Sequence, residues 1–336
     1  MTEHHTQLTS AEIACIWTAY LIDSMSKCIL SYFLRIIEDE DIRPIIELAH
    51  TISSSHIDTL NYMYKVENLP IPKGFTEEDV NLDAPRLYTD PFMLQYITHM
   101  ARTGMLGFSS FVAFGARKEI KTFFIKGLQE TADLFDKCTD VLLSKGLYIR
   151  APYIPYPTQS DHVDSKKYLS GYSIFSKQRP LNAMEISHLY MNSLNNHIGS
   201  KLSLSFAQTS SNKKVEKWMI RGCEISQKHM KIFIDMLIDN NIQSPVSSDI
   251  SITDSTTPPF SDKLTMFHMG LLSSAGIGNY ATSAAASQRS DLVTNYERLS
   301  VEVAQFAKDG ADIMISNEWM EQPPTTKDKE KLIKEK

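Results

Sequence analysis

The chain has 336 residues, 42% of them apolar and 22% charged, with a net charge of −6. That is the composition of a globular protein with room for two ordinary domains, and its negative balance points away from nucleic acid and anionic membranes as partners. Four cysteines, Cys15, Cys28, Cys138 and Cys223, show no C-x-x-C spacing, which argues against a disulfide framework or zinc finger and for a reducing compartment.

The N-terminal "MTEHHTQLTS" has no apolar signal core, and polar residues interrupt every later apolar stretch. No membrane span is expected, and a cytoplasmic location follows. The first helix is predicted at 9–37, with Thr9 or Ser10 before "AEIACI" as N-cap and Glu12 in the opening turn. A second follows at 41–68. "LPIPKGFTEEDVNLDAPRLYT" then connects it to a third at 90–115, where Asp90 reads as the cap and Pro91 as the first helical residue. A fourth covers 117–147. Four more helices are predicted at 182–210, 212–242, 262–288 and 289–318. A linker at 153–180 precedes them, and a charged, mobile tail at 321–336 follows. Strand-like alternation is nearly absent.

The two sets of four helices are copies. At an offset of 173, Glu12 meets Glu185, Phe33 meets Phe206, His56 meets His229 and Pro72 meets Pro245. At 172, Asp90 meets Asp262, Gly104 meets Gly276, Phe108 meets Tyr280, Arg117 meets Arg289 and Glu130 meets Glu302. One offset with a single slip marks a duplication, with domains at 8–152 and 181–320. In each copy the long connection lies between helices two and three. The helices are roughly 40 Å long at 1.5 Å per residue, and about twenty extended residues span that length. The expected fold is therefore all-α: two tandem ferritin-like four-helix bundles, helices two and three running parallel across a long crossover.

"LTSAEIACIWTAY", the His56 helix, "ARTGMLGF" with Arg117, and "LNAMEISHLYMN" with the His229 helix together resemble an uncharacterised family of spore-forming bacilli, domain-of-unknown-function family 3231. The resemblance covers both halves. It implies a ferritin-like fold and, from the label such proteins often carry, a spore-coat or spore-associated role. It implies no activity and no catalytic residues.

The interior polar residues decide between chemistry and structure. Glu47-x-x-His50 has the spacing of half a di-iron site, but at 100° per residue it faces away from the apolar stripe of its helix. His56 and His229 face inward, level with Asp23 and Asn196 on the preceding helix, and are expected to bond to them. Glu12 is expected to pair with Arg117, and Glu185 with Arg289, by the bidentate grip of guanidinium on carboxylate. Glu185-x-x-His188 also phases inward. With His229 and His268 it forms the competing expectation, a metal or small-ligand site for Fe, Mn or Zn in the second bundle. A di-iron centre needs four carboxylates and two histidines. Helix four offers only Glu130 and Glu302, near the edge of its stripe, so no ferroxidase centre and no cofactor are expected. No phosphate loop, nucleophile elbow or H-E-x-x-H occurs. "AGIGNYATSAAAS" reads as close helix packing, and the aromatics of "YIPYP" as docking the linker onto a bundle. A structural or interaction protein, with protein partners or self-association and no enzymatic activity, is the expected function.

Overall fold

Each half begins with a capping box. Thr9 accepts from the Glu12 N–H while the Glu12 carboxylate accepts from the Thr9 N–H, and Asn182 and Glu185 do the same. In the computed structural model, which describes residues 6–171, 178–245 and 251–334, these boxes open α1 (Ser10–Ile36) and α5 (Ala183–Thr209). The first half continues with α2 (Arg43–Val66), α3 (Asp90–Phe114) and α4 (Lys118–Ser144). The second continues with α6 (Lys213–Asp239), α7 (Asp262–Ala286) and α8 (Ser290–Ser316), and a short α9 (Lys329–Lys334) follows. The expected helices fall within a few residues of these bounds. Their ends repeat too: past α2 and α6, Asn68 and Asn241 take the left-handed conformation (φ 53° and 58°), the usual way to stop a helix without glycine. Asp90 departs from expectation. Thr89 holds the cap position of α3, and the Asp90 carboxylate instead accepts from the Asp39 N–H at 3.0 Å.

End-to-end contacts fix the connectivity. At one end of the first half, Glu12 at the start of α1 meets the N–H groups that open α4, and Arg117 pairs with Glu67 at the end of α2 (2.8 Å). At the other end, Asp39 after α1 meets Asp90 of α3 and Lys145 after α4 (2.8 Å). So α1 and α4 run one way, α2 and α3 the other, and the 67–89 connection travels the length of the bundle. The second half repeats this through Glu185 with Arg289, Asn240 with Arg289, and Ser210 with Asp262.

The two connections pair with each other. Val80 bridges Phe260 and Tyr88 bridges Ile252, both antiparallel, and among the described residues there is no longer strand. The bonds are reciprocal. Asn81 N–H donates to Pro259 C=O and Thr253 N–H to Leu87 C=O; Ser261 N–H donates to Asp79 C=O and Thr89 N–H to Ser251 C=O. At the 172 offset each pair maps onto the other, as in a two-fold interface. One hydrophobic core crosses this seam, uniting Phe33, Tyr88, Phe92 and Tyr96 with Phe206, Phe260, Leu264 and Met266. Two smaller clusters fill the outer ends of the halves, around Phe123 and Phe124 and around Phe233 and Tyr296. The halves are thus joined through their interiors as well as through the chain connection.

The linker aromatics do not dock as expected. Tyr153 is 86% exposed and Tyr156 95%. Residues 172–177 of the linker lie outside the described residues, as do 1–5 of the N-terminal stretch and 335–336 of the tail. The tail is pinned where it starts, because Glu321 accepts from the N–H groups of Lys73 and Gly74 (2.8 and 2.7 Å). Among the described residues α1 alone is long and apolar enough to cross a membrane by length and composition, and 50% of its most apolar window is buried inside the protein.

Candidate functional site

The second helix of each half carries a buried histidine, His56 on α2 and His229 on α6, and the two are wired differently. His56, on α2 and 2% exposed, lies between two carboxylates. Its Nδ1 meets Asp23 of α1 at 3.2 Å and its Nε2 meets Glu130 of α4 at 2.9 Å. Lys126 also reaches Glu130, at 3.2 Å. The rings of Phe108 and Phe123 close over the imidazole, with centroids at 5.5 and 5.3 Å. His229, on α6 and 0% exposed, meets Glu302 of α8 through Nε2 at 3.0 Å and the Tyr280 hydroxyl of α7 through Nδ1 at 3.0 Å. Asn196 Nδ2 donates to that same hydroxyl at 2.9 Å, and Lys228 pairs with Glu302.

The difference follows from two exchanges at repeat positions. Where the first half has Asp23 and Phe108, the second has Asn196 and Tyr280. Phenylalanine offers His56 no polar atom, so Asp23 bonds the ring directly. Tyrosine puts a hydroxyl between Asn196 and His229, and the direct bond expected between those two is replaced by a relay. Proton counting then separates the centres. A neutral imidazole has one donor and one acceptor. That suffices for His229, which donates to Glu302 and accepts from Tyr280. It cannot donate to two carboxylates at once, so hydrogen bonds to both would require an additional proton in the first centre.

The electrostatics agree. Burial would lower the His56 pKa, but the bonds and charges of Asp23 and Glu130 outweigh it and raise it. Burial also raises the Asp23 pKa, and its bond to His56 offsets only part of that. For His229 burial wins over the Glu302 bond, and the pKa falls.

A small cavity lies against His56, and one at repeat positions in the second half lies against Tyr280 and Asn196, the relay to His229. The first is about 90 Å³, bordered by Ala49, Ser53 and Gly104. The second is about 70 Å³, bordered by the counterparts Gly222, Ser226 and Gly276. Hydrocarbon walls most of the first, whereas Asn192, Asn195, Asn196 and Asn279 contribute to the second. Each has room for water. Both nitrogens of each histidine are already committed to neighbouring side chains. What each centre does is tie three helices together around a ring.

The expected ion pairs at the bundle bases are not formed, although the glutamates are buried as expected, both 0% exposed. Glu12 accepts from the backbone N–H groups of Ala116 and Arg117 (3.0 and 2.8 Å) as well as from Thr9. The Arg117 side chain turns to Glu67 and Glu119. Glu185 likewise accepts from the N–H groups of Gln288 and Arg289 (3.1 and 3.0 Å), while Arg179 grips it with two bonds of 2.7 and 2.8 Å. The Arg289 side chain goes to Asp291 and Gln178. The reason is the helix start: α4 and α8 open with unsatisfied N–H groups, which a carboxylate serves directly. Burial alone would raise the Glu12 pKa, but these N–H donors outweigh it and hold the carboxyl below its ordinary value.

The four metal candidates do not converge either. Glu185 is at the base, His188 bonds Ser283 (3.1 Å), His229 is in its own centre, and His268 faces Tyr96 across the seam (3.4 Å). Among the described residues no group of three His, Cys, Asp or Glu is arranged to hold a metal ion. Glu47 is exposed and His50 bonds Ser31 (3.0 Å), away from both centres. Glu130, Glu302 and Tyr280 are the centre residues the sequence did not single out. The repeat paired them with Glu302, Glu130 and Phe108, and that pairing was the available signal.

A model of the family described as "Protein of unknown function (DUF3231)" matches residues 1–159 and, separately, 170–332. Among solved structures, a provisionally assigned spore coat protein of Bacillus halodurans C-125 is similar at 18% identity and a TM-score of 0.38, over 46% of this chain and 98% of that one. No curated protein matches.

Proposed function

From the premise that the chain belongs to the DUF3231 family, once in each half, we propose that it is a structural or interaction protein. In this view its buried polar groups hold two helical bundles in one rigid block. The observation that carries the reading is the wiring of the histidines: each joins three helices of its half and has both ring nitrogens engaged. Buried, hydrogen-bonded networks of this kind rigidify an interior. The bundles are read as ferritin-like in connectivity, and the domains as 8–152 and 181–320. The setting we propose is the spore coat, which comes from the name of the Bacillus halodurans chain and not from geometry.

Two experiments test this. Metal analysis of protein purified without a histidine tag separates it from the metal-binding alternative. Stoichiometric iron, manganese or zinc, lost on changing His229, would reject the structural reading. A fluorescent fusion followed through sporulation tests the setting: signal at the forespore periphery supports it, and signal confined to the mother-cell cytosol rejects it.

A further inference from the structure

Where α3 of the first half lies against α5 of the second, basic side chains gather. Arg102 is on α3. Its Nη2 donates to Asn195 Oδ1 at 2.8 Å and to His99 Nδ1 at 3.1 Å, both neutral acceptors. Among the described residues no carboxylate lies within 4 Å of this guanidinium, and the groups that favour its charge are the phenols of Tyr190 and Tyr148. His99 cannot supply a counter-charge. Burial and the neighbouring Arg102 push its pKa down to about 3, so it stays a neutral acceptor. From α5, His197 turns a buried Nε2 with no protein partner toward the same place. A cavity of about 30 Å³ lies between them, bordered by Thr98, His99, Arg102, Leu194 and His197.

The Arg102 guanidinium is half-buried, and burial disfavours its charge; an anion beside it would offset that cost. We propose that this pocket binds a monatomic inorganic anion, chloride under physiological conditions, held by Arg102 from one half and His197 from the other. Size is compatible with the ligand: the cavity admits a water-sized body, and chloride is of that size. Charge selects it: Arg102 has donors at Nε and Nη1 that no described protein atom accepts, and His197 can present an N–H. The site is built once. The repeat counterparts of Arg102 and His197 are Ser274 and Ser24, so the anion ties the halves together on one flank of the seam only.

The full chain is melted in sodium chloride and in sodium gluconate at equal ionic strength, and crystals are grown in bromide. Chloride should raise Tm over gluconate by a few degrees and saturate. Arg102→Gln should abolish that difference, and bromide should give an anomalous peak within hydrogen-bond reach of Arg102 and His197. Equal chloride dependence in wild type and Arg102→Gln would overturn the proposal, as would bromide crystals with no peak there. Should Arg102→Gln fail to fold, the bromide peak in the wild-type protein decides.

Discussion

The contrast between the two histidine centres makes a prediction that the molecule itself calibrates. Tyr280→Phe deletes a hydroxyl that accepts from Asn196 at 2.9 Å and bonds His229 Nδ1 at 3.0 Å. Two hydrogen bonds at about 1 kcal/mol each are lost. A buried imidazole nitrogen is also left unsatisfied, so the expected destabilisation is about 2–4 kcal/mol. Adding Asn196→Asp converts the centre to the arrangement of the first half, where Asp23 reaches His56 directly at 3.2 Å. The double variant should therefore be more stable than the sum of the singles by at least about 1 kcal/mol, the coupling expected of side chains in contact. Urea unfolding followed by circular dichroism gives the energies. Histidine NMR gives a second readout: the His229 pKa, lowered in the parent, should rise above the ordinary 6.5 once two carboxylates flank the ring. Additivity within about 0.5 kcal/mol together with an unchanged His229 pKa would refute the claim that residues 280 and 196 set the histidine's pKa.

Three further outcomes are expected. His56 has a raised pKa, so its stabilising contribution is complete below 6.5 and fades as pH rises through the folded-state pKa. His229 has a lowered one, so its contribution is present above 6.5 and fades as pH falls. His56→Gln and His229→Gln should therefore tilt the pH–stability curve in opposite directions, and equal tilts would contradict the assignment. Glu12→Gln should cost about 2–4 kcal/mol despite its near-identical shape, because an amide N–H₂ would face N–H donors at one of the two helix starts. It should also remove a term that is present above the ordinary carboxyl value of 4.5 and lost as pH falls through the folded-state pKa; a midpoint equal to wild type in urea would show the capping role to be wrong. Residues 6–152 expressed alone should bind a dye for exposed apolar surface and unfold without a sharp transition, since Tyr88 and Phe92 would lose the core they share with Phe206 and Phe260. A sharp transition without dye binding would refute this.

The helices and their order were legible from apolar stripes at 3.6-residue period, and α1 also from its cap, Thr9-Ser-Ala-Glu12. The inward phase of His56 and His229 was legible for the same reason. Their partners on the last helix of each half were not. Glu130 and Glu302 phase to the edge of their stripes, and only three-dimensional packing tells whether a long side chain there bends inward or out to water. Glu12 and Glu185 were found as buried acids but given the wrong partners. A sequence shows the side chain of Arg117, whereas the group that matters is the backbone N–H every helix start exposes. The shared core was not legible at all. A duplication says that two halves look alike, not which apolar face of each meets the other.

On the axis between the halves Tyr96 faces His268, its own counterpart, with ring centroids 5.6 Å apart. Two separate identical chains could only bring tyrosine to tyrosine there, or histidine to histidine. Joining the copies lifts that constraint, and one donor can oppose one acceptor where symmetry would force like against like. The same freedom lets Arg102 stand on one flank without an image on the other. It also lets one histidine's pKa be raised while its twin's is lowered. A fused pair can thus divide roles between positions that began as one, and the places to look for what this protein does that a single copy could not are those where the offset holds and the residue has changed.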